Sequence, residues 1–124
     1  MKPFLLYFSL CLSLFACKKK EEEVSVRVRN ISPYQFDAIY VNTSGGEYQY
    51  GSLSAGQNSD YHSFVKAYRY AYFKIMVQGQ ELMWQPFDYV GEQPLEPGHH
   101  TYLVNVETNP TTKVQYLTIS SAKP

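Results

Sequence analysis

Three histidines, two cysteines and a scatter of carboxylates are the groups in this chain best suited to metal or acid–base chemistry. His99 and His100 adjoin, and His62, Asp60 or Glu96 could complete a shell of ligands around them. A structural zinc ion usually takes four such ligands. Neighbouring residues on a strand point to opposite faces, so one ion reaches both histidines only if they occupy a turn. The plainer expectation is that both sit in the loop before a strand and that neither a metal nor another cofactor is required. Asp88 and Glu92 are close enough in sequence to face one another across a loop, which would make a small metal-dependent enzyme around Asp88, Glu92, His99 and His100 the catalytic reading. Hydrolysis needs a nucleophile, a positioned base and an orienting partner. The chain has no nucleophile-elbow glycine pattern, no His-Glu-x-x-His spacing and no phosphate-cradling glycine loop. The expectation is therefore a non-catalytic protein.

Aromatic content invites a different function. The chain carries 12 Tyr, 7 Phe and 1 Trp, and Tyr68, Tyr70 and Tyr72 alternate so that one strand would show all three on the same face. Trp84, across a predicted hairpin, would extend the row. Such rings offer flat apolar area with a polar tip, suited to protein partners or sugar rings. Tyrosine is also simply a favoured strand residue, so the same row can serve packing alone.

The remaining reactive groups are Cys11 and Cys17. Lys2 precedes an apolar run from Phe4 to Phe15 that is interrupted by Ser9, Cys11 and Ser13, and Ala16 comes just before Cys17. That is the tripartite layout of a secretory signal. The run is about a dozen residues, against the roughly 20 that a membrane-spanning helix requires. Leu14-Phe15-Ala16-Cys17 resembles the lipobox of bacterial lipoproteins, although Phe15 is bulkier than that family usually carries. The resemblance implies that residues 1–16 are a lipoprotein signal peptide and that Cys17 is acylated, palmitate among its acyl chains. Cys11 would leave with the signal, so Cys17 could form no internal disulfide, and acylation would remove a lone exported thiol.

Lys18 to Glu23 follow as six charges without an apolar residue. Such a block has nothing to bury, so residues 17–23 are expected to be an acylated cysteine and a solvated tether. Absence of Asp directly after Cys17 differs from the inner-membrane retention signal of enteric bacteria. Lysine followed by acids near the cysteine resembles the export signal of Bacteroidetes-type lipoproteins. Together these imply a cell-envelope protein held on the outer membrane by its lipid, and the second resemblance implies exposure at the cell surface.

Residues 24–124 are one domain's worth of chain. With 11 Lys plus Arg against 11 Asp plus Glu, and no basic cluster beyond the tether, the charge does not suit nucleic acid. Val24, Val26 and Val28 alternate with Ser25, Arg27 and Arg29, the period of a half-buried strand, and Asn30-Ile31-Ser32-Pro33 ends it. A second strand is predicted over Phe36 to Asn42. Phe36 and Ile39 have opposite parity, which calls for a bulge or for Phe36 packing from the strand end. Thr43 to Gly46 is read as a turn, Glu47 to Leu53 as an edge or crossover segment, and Ser59 to Val65 as a strand.

The longest strand is predicted over Tyr68 to Val77, closed by a hairpin at Gln78-Gly79 and partnered by Glu81 to Gln85. The connection from Pro86 to Gly98 is expected to be ordered, with Phe87, Tyr89, Val90 and Leu95 as apolar anchors. Tyr102, Val104 and Val106 alternate inward on the next strand. Asn109 to Thr112 turns the chain into a last strand near Lys113 to Ser120. No long segment carries a 3.6-residue apolar stripe. About seven short strands at this spacing predict an all-β antiparallel β-sandwich.

Leu95-Glu96-Pro97-Gly98 followed by Tyr102, Val104 and Val106 resembles the run leading into the sixth strand of fibronectin type III domains. That resemblance implies an immunoglobulin-like sandwich in which Tyr102 makes a tyrosine corner, its hydroxyl bonding backbone a few residues upstream. One extra residue separates glycine from tyrosine here. The wider pattern, with Val28 to Pro33, Ile39 to Asn42, Tyr50-Gly51 and Ser59 to Tyr61, is similar to small uncharacterised lipoproteins and secreted immunoglobulin-like domains of Bacteroidetes-type bacteria. It implies fold and location, with membrane attachment through Cys17 and a protein or glycan partner, and transfers no activity.

Overall fold

A computed structural model describes residues 23–124; the leader, Cys17 and most of the charged tether lie outside the described residues. Eight strands form: β1 (Val24–Asn30), β2 (Phe36–Asn42), β3 (Glu47–Gln49), β4 (His62–Phe64), β5 (Tyr72–Val77), β6 (Gln80–Trp84), β7 (Gly98–Thr108) and β8 (Gln115–Ala122). They make two four-stranded sheets, ordered β4-β1-β7-β8 and β3-β2-β5-β6.

The sheets pack as a β-sandwich, and alternation explains which residues meet. Val24, Val26 and Val28 of β1 face Ile39 and Val41 of β2, Phe73, Ile75 and Val77 of β5, and Tyr102 and Val104 of β7 in one buried cluster. Burial of such side chains contributes roughly 1.5–3 kcal/mol each. The outward residues of β1 meet neighbours across the sheet: Arg27 Nε donates to Thr101 Oγ1 on β7 at 3.0 Å, and its guanidinium lies 5.0 Å from the ring centroid of Tyr61.

One expectation about the sandwich is corrected. The eight strands agree with the expected number of about seven, but the sheets are not wholly antiparallel, because β1 and β7 run parallel with Val24 opposite Gly98 and Asn30 opposite Val104. The cause is directional. After β6 the chain stays at the end of the sandwich where β1 begins, so β7 must set out in the same direction as β1.

The predicted bulge in β2 forms. Pairing with β5 shifts register between Phe36 and Ala38, which lets Phe36 and Ile39 both reach the core while Asp37 and Ala38 turn outward. The β5–β6 hairpin also forms as expected, with φ of 52° at Gln78 and 76° at Gly79, as a two-residue turn of this hand needs. At Gly45 a Cβ would run into the backbone of Lys66, so the 43–46 turn can approach that chain only with glycine there.

Asn30 shows how the first strand stops. Its buried side chain donates from Nδ2 to the carbonyls of Tyr34 (2.7 Å) and Leu53 (3.1 Å), while Oδ1 accepts from Ser32 N (2.9 Å) and Ser32 Oγ (2.7 Å). One amide thus fixes the bend between sheets. Asn30→Ala is expected to cost about 2–3 kcal/mol, because several buried polar groups lose their partner together. Denaturant titration reads this directly, and an unmoved midpoint would show that the bend holds without the amide.

Candidate functional site

The structure divides the four residues expected to form an aromatic row. The strand read as Tyr68 to Val77 begins only at Tyr72, so Tyr68 and Tyr70 lie in the preceding irregular segment. The reason is tertiary. Ala67 and Ala71 are buried, the Ala67 carbonyl accepts from Leu95 N at 2.8 Å, and the Tyr68 carbonyl accepts from Tyr102 Oη at 2.7 Å. Those bonds hold residues 65–71 against the end of the core and leave them no strand ladder to join.

Tyr68 and Tyr70 instead grip the 85–97 connection. Tyr89 stacks on Tyr68 with centroids 4.4 Å apart and on Tyr70 at 5.7 Å, and Tyr70 lies 5.6 Å from Trp84. Burial raises the Tyr89 phenol above its ordinary pKa. Trp84 pairs in register with Phe73 and packs against the core edge. These three of the four predicted residues therefore fasten two loops to the sandwich. Among the expected loop anchors, Tyr89 and Leu95 do the anchoring, whereas Phe87 and Val90 project into solvent.

Tyr72 alone keeps an outward position on a strand. Its ring meets Tyr40 of β2 edge to face at 6.0 Å, and its hydroxyl donates to Met83 Sδ at 3.2 Å. Tyr40, Asn42, Gln49, Tyr72 and Lys74 line an open cleft of about 510 Å³ on the outer face of the β3-β2-β5-β6 sheet. Tyr40 Oη donates to the Glu47 carboxylate and accepts from Asn42 Nδ2 at 3.4 Å. The bond to Glu47, aided by desolvation, raises the Tyr40 phenol above its ordinary pKa, so it stays protonated at neutral pH. The cleft offers two ring walls at a steep angle, two side-chain amides and one ammonium. Tyr40 escaped the sequence reading, although its place between inward Ile39 and Val41 already puts it on the outer face.

The histidines do not converge. Both His99 and His100 are in β7, not in a loop before it, and so point to opposite faces. His100 is buried with Nε2 2.7 Å from the Glu96 carbonyl oxygen, while His99 faces outward against the edge of Tyr61 at 4.6 Å. His62 stacks on Tyr48 at 3.7 Å. Asp88 Oδ1 accepts from Val90 N, and Glu92 pairs with Arg69 at 3.2 Å. No group of three or more metal-ligating side chains gathers among the described residues.

A second cleft of about 450 Å³ lies under the 85–97 connection, between Arg69, Leu95, His100 and Lys123. Its ion pair and the His100–Glu96 bond already engage polar groups at its wall. The outer-sheet cleft differs in being walled by two aromatic rings, which makes it the better candidate for a ligand with apolar faces and polar edges.

No family model and no curated protein matches the sequence. The chain is similar in structure to a protein from Eubacterium rectale solved by NMR, with a TM-score of 0.59 over 84% of this chain and 94% of that one, at 14% identity. At that identity the likeness is one of fold.

Proposed function

We propose that the protein is a lipid-anchored, non-catalytic recognition module of the cell envelope, carried on the outer membrane by acyl chains at Cys17, and that its ligand is a glycan held on the outer face of the β3-β2-β5-β6 sheet. The observation that carries the glycan reading is the Tyr40–Tyr72 pair flanked by Asn42 and Gln49. Sugars present apolar C–H faces edged by hydroxyls. Two aromatic walls with amides between them match that chemistry, and their shallow, open placement suits an oligosaccharide more than a buried small molecule. The non-catalytic part is supported by three dispersed histidines and by carboxylates already engaged in a backbone bond and an ion pair.

A kinship with immunoglobulin-like domains is supported by the two-sheet core with a tyrosine at its centre and limited by strand order. Immunoglobulin domains pair their first two strands within one sheet, whereas β1 and β2 lie in opposite sheets here. The kinship is therefore one of architecture rather than of topology.

Binding of the purified protein to a panel of soluble oligosaccharides tests the ligand. Tyr72→Ala is expected to weaken the best binder about tenfold, the loss of roughly one good ring contact, with the unfolding midpoint little changed because the ring stands outside the core. Failure of every oligosaccharide to bind, or equal affinity in Tyr72→Ala, overturns the glycan reading.

A further inference from the structure

The register shows which end of the sandwich the anchor must reach. β1 starts at Val24, opposite Phe64 of β4 and Gly98 of β7, and the Glu23 carbonyl accepts from Gly98 N. Trp84, Tyr72 and the 85–97 connection lie at this same end, tied to β4's exit by the Ala67–Leu95 and Thr43–Lys66 bonds. Residues 17–23 extend at most about 25 Å. β7 alone, at 11 residues, is about 35 Å long. A lipid at Cys17 therefore holds this end, and not the opposite one, within easy reach of the bilayer.

The most exposed apolar residues project from that end, whereas Ile31 (46%) and Val114 (57%) at the far end are less exposed. Phe87 is 100% exposed, Val90 86% and Val65 69%, and the first two sit on the connection that Tyr89 pins to Tyr68 and Tyr70. A rigidly held loop with a bare phenylalanine and valine at its tip costs little further ordering to insert. Charge at this end is mixed, Lys66, Arg69 and Lys123 being set against Asp88, Glu92 and Glu96.

We infer that the 85–97 loop is a membrane-contacting surface: Phe87 and Val90 insert into the lipid interface beside the anchor and orient the domain upright, with the Tyr40–Tyr72 face directed sideways. The partner is the bilayer itself, recognised through apolar burial rather than headgroup charge. The inference rests on the anchoring of Cys17; because Phe87 and Tyr72 line one shallow cleft, insertion also brings the Tyr72 edge of the outer sheet beside the bilayer.

The test uses full-length protein, processed in cells and reconstituted into phosphatidylcholine vesicles, with Cys17 acylation read by mass. Phe87→Trp and, at the far end, Ile31→Trp are compared for quenching by brominated acyl chains, after subtracting the emission of Trp84 measured in the parent. Both sites are exposed, so neither substitution disturbs the core. Trp at 87 is expected to lose most of its emission and to shift to the blue; Trp at 31 is expected to do neither. Phe87→Ser in the lipid-free Cys17→Ala protein should bind vesicles about tenfold more weakly than Cys17→Ala alone. Acylated protein with equal quenching at 87 and 31 overturns this surface while leaving the anchor intact. Quenching that appears only when anionic lipid is added overturns the apolar mode, and an unmodified Cys17 overturns anchor and surface together.

Discussion

Tyr102→Ala is expected to destabilise the domain by about 3–5 kcal/mol, the range for deleting a large aromatic side chain from a packed core. Tyr102 is the largest fully buried side chain among the described residues and meets Phe73 edge to face at 5.5 Å, joining β7 of one sheet to β5 of the other. Its hydroxyl adds a second role, because it holds the Tyr68 carbonyl at 2.7 Å and with it the segment that seats Tyr89. Burial pushes the phenol far above its ordinary pKa, which keeps the hydroxyl protonated as the donor of this bond.

The two roles separate experimentally. Tyr102→Phe keeps the ring and removes only the donor, so it should cost about 1 kcal/mol, roughly 4–8 °C in a domain of this size. It should also raise hydrogen exchange selectively in residues 65–71 and 85–97. Equal losses in Tyr102→Phe and Tyr102→Ala would show that the hydrogen bond, and not the ring volume, carries the effect.

That same bond explains a large error in reading the sequence. Tyr102 was legible as inward-facing, and its resemblance to a tyrosine corner implied a bond to backbone a few residues upstream. The actual acceptor is Tyr68, 34 residues away. Because β7 already begins at Gly98, Tyr102 stands inside the strand and points across the core, with no nearby upstream backbone to meet. The bond in turn removes Tyr68 and Tyr70 from the predicted strand. Alternation alone favours that strand, but alternation reports only local period and is overridden when a distant side chain takes the carbonyl.

Features fixed by neighbouring residues are readable: the bounds of β2, the bulge as one of the two arrangements that the opposite parity of Phe36 and Ile39 allows, and the Gln78-Gly79 turn. Parallel pairing of β1 with β7 is not, since it depends on where the chain emerges after β6 and leaves no mark in either strand. Of the two rings in the candidate site, one is legible on the same terms. Tyr72 stood out in a tyrosine-rich run, but Tyr40 lay in a strand read for its inward residues, and only the β2–β5 register, with Tyr40 opposite Lys74 and Asn42 opposite Tyr72, brings the two rings together. Apolar type alone predicts Phe87 and Val90 to be loop anchors. An apolar side chain anchors a loop only where a surface accepts it, and here Leu95 packs against the core while Tyr89 stacks on Tyr68 and Tyr70.

Cys17→Ala is expected to abolish incorporation of labelled palmitate completely and to leave the fold unchanged, since residue 17 precedes the first strand at Val24. The physical argument is one of chain number. A single myristoyl group binds membranes with a constant of only about 10⁴ M⁻¹, and each further buried methylene adds roughly 0.8 kcal/mol. The two or three chains implied by lipobox processing would therefore give stable anchoring, while the domain's own exposed Phe87 and Val90 supply at most weak, reversible contact. Native protein should begin at Cys17 by mass, heavier than its sequence by those chains, and resist high-salt and carbonate extraction. The Cys17→Ala chain, freed of its leader, should partition into vesicles at least about a hundredfold less well. Palmitate label that persists on Cys17→Ala would place the acyl group elsewhere and remove the reason for the domain's orientation. A native product carrying an intact leader would remove the anchor itself, and the membrane-facing role of the 85–97 loop would go with it.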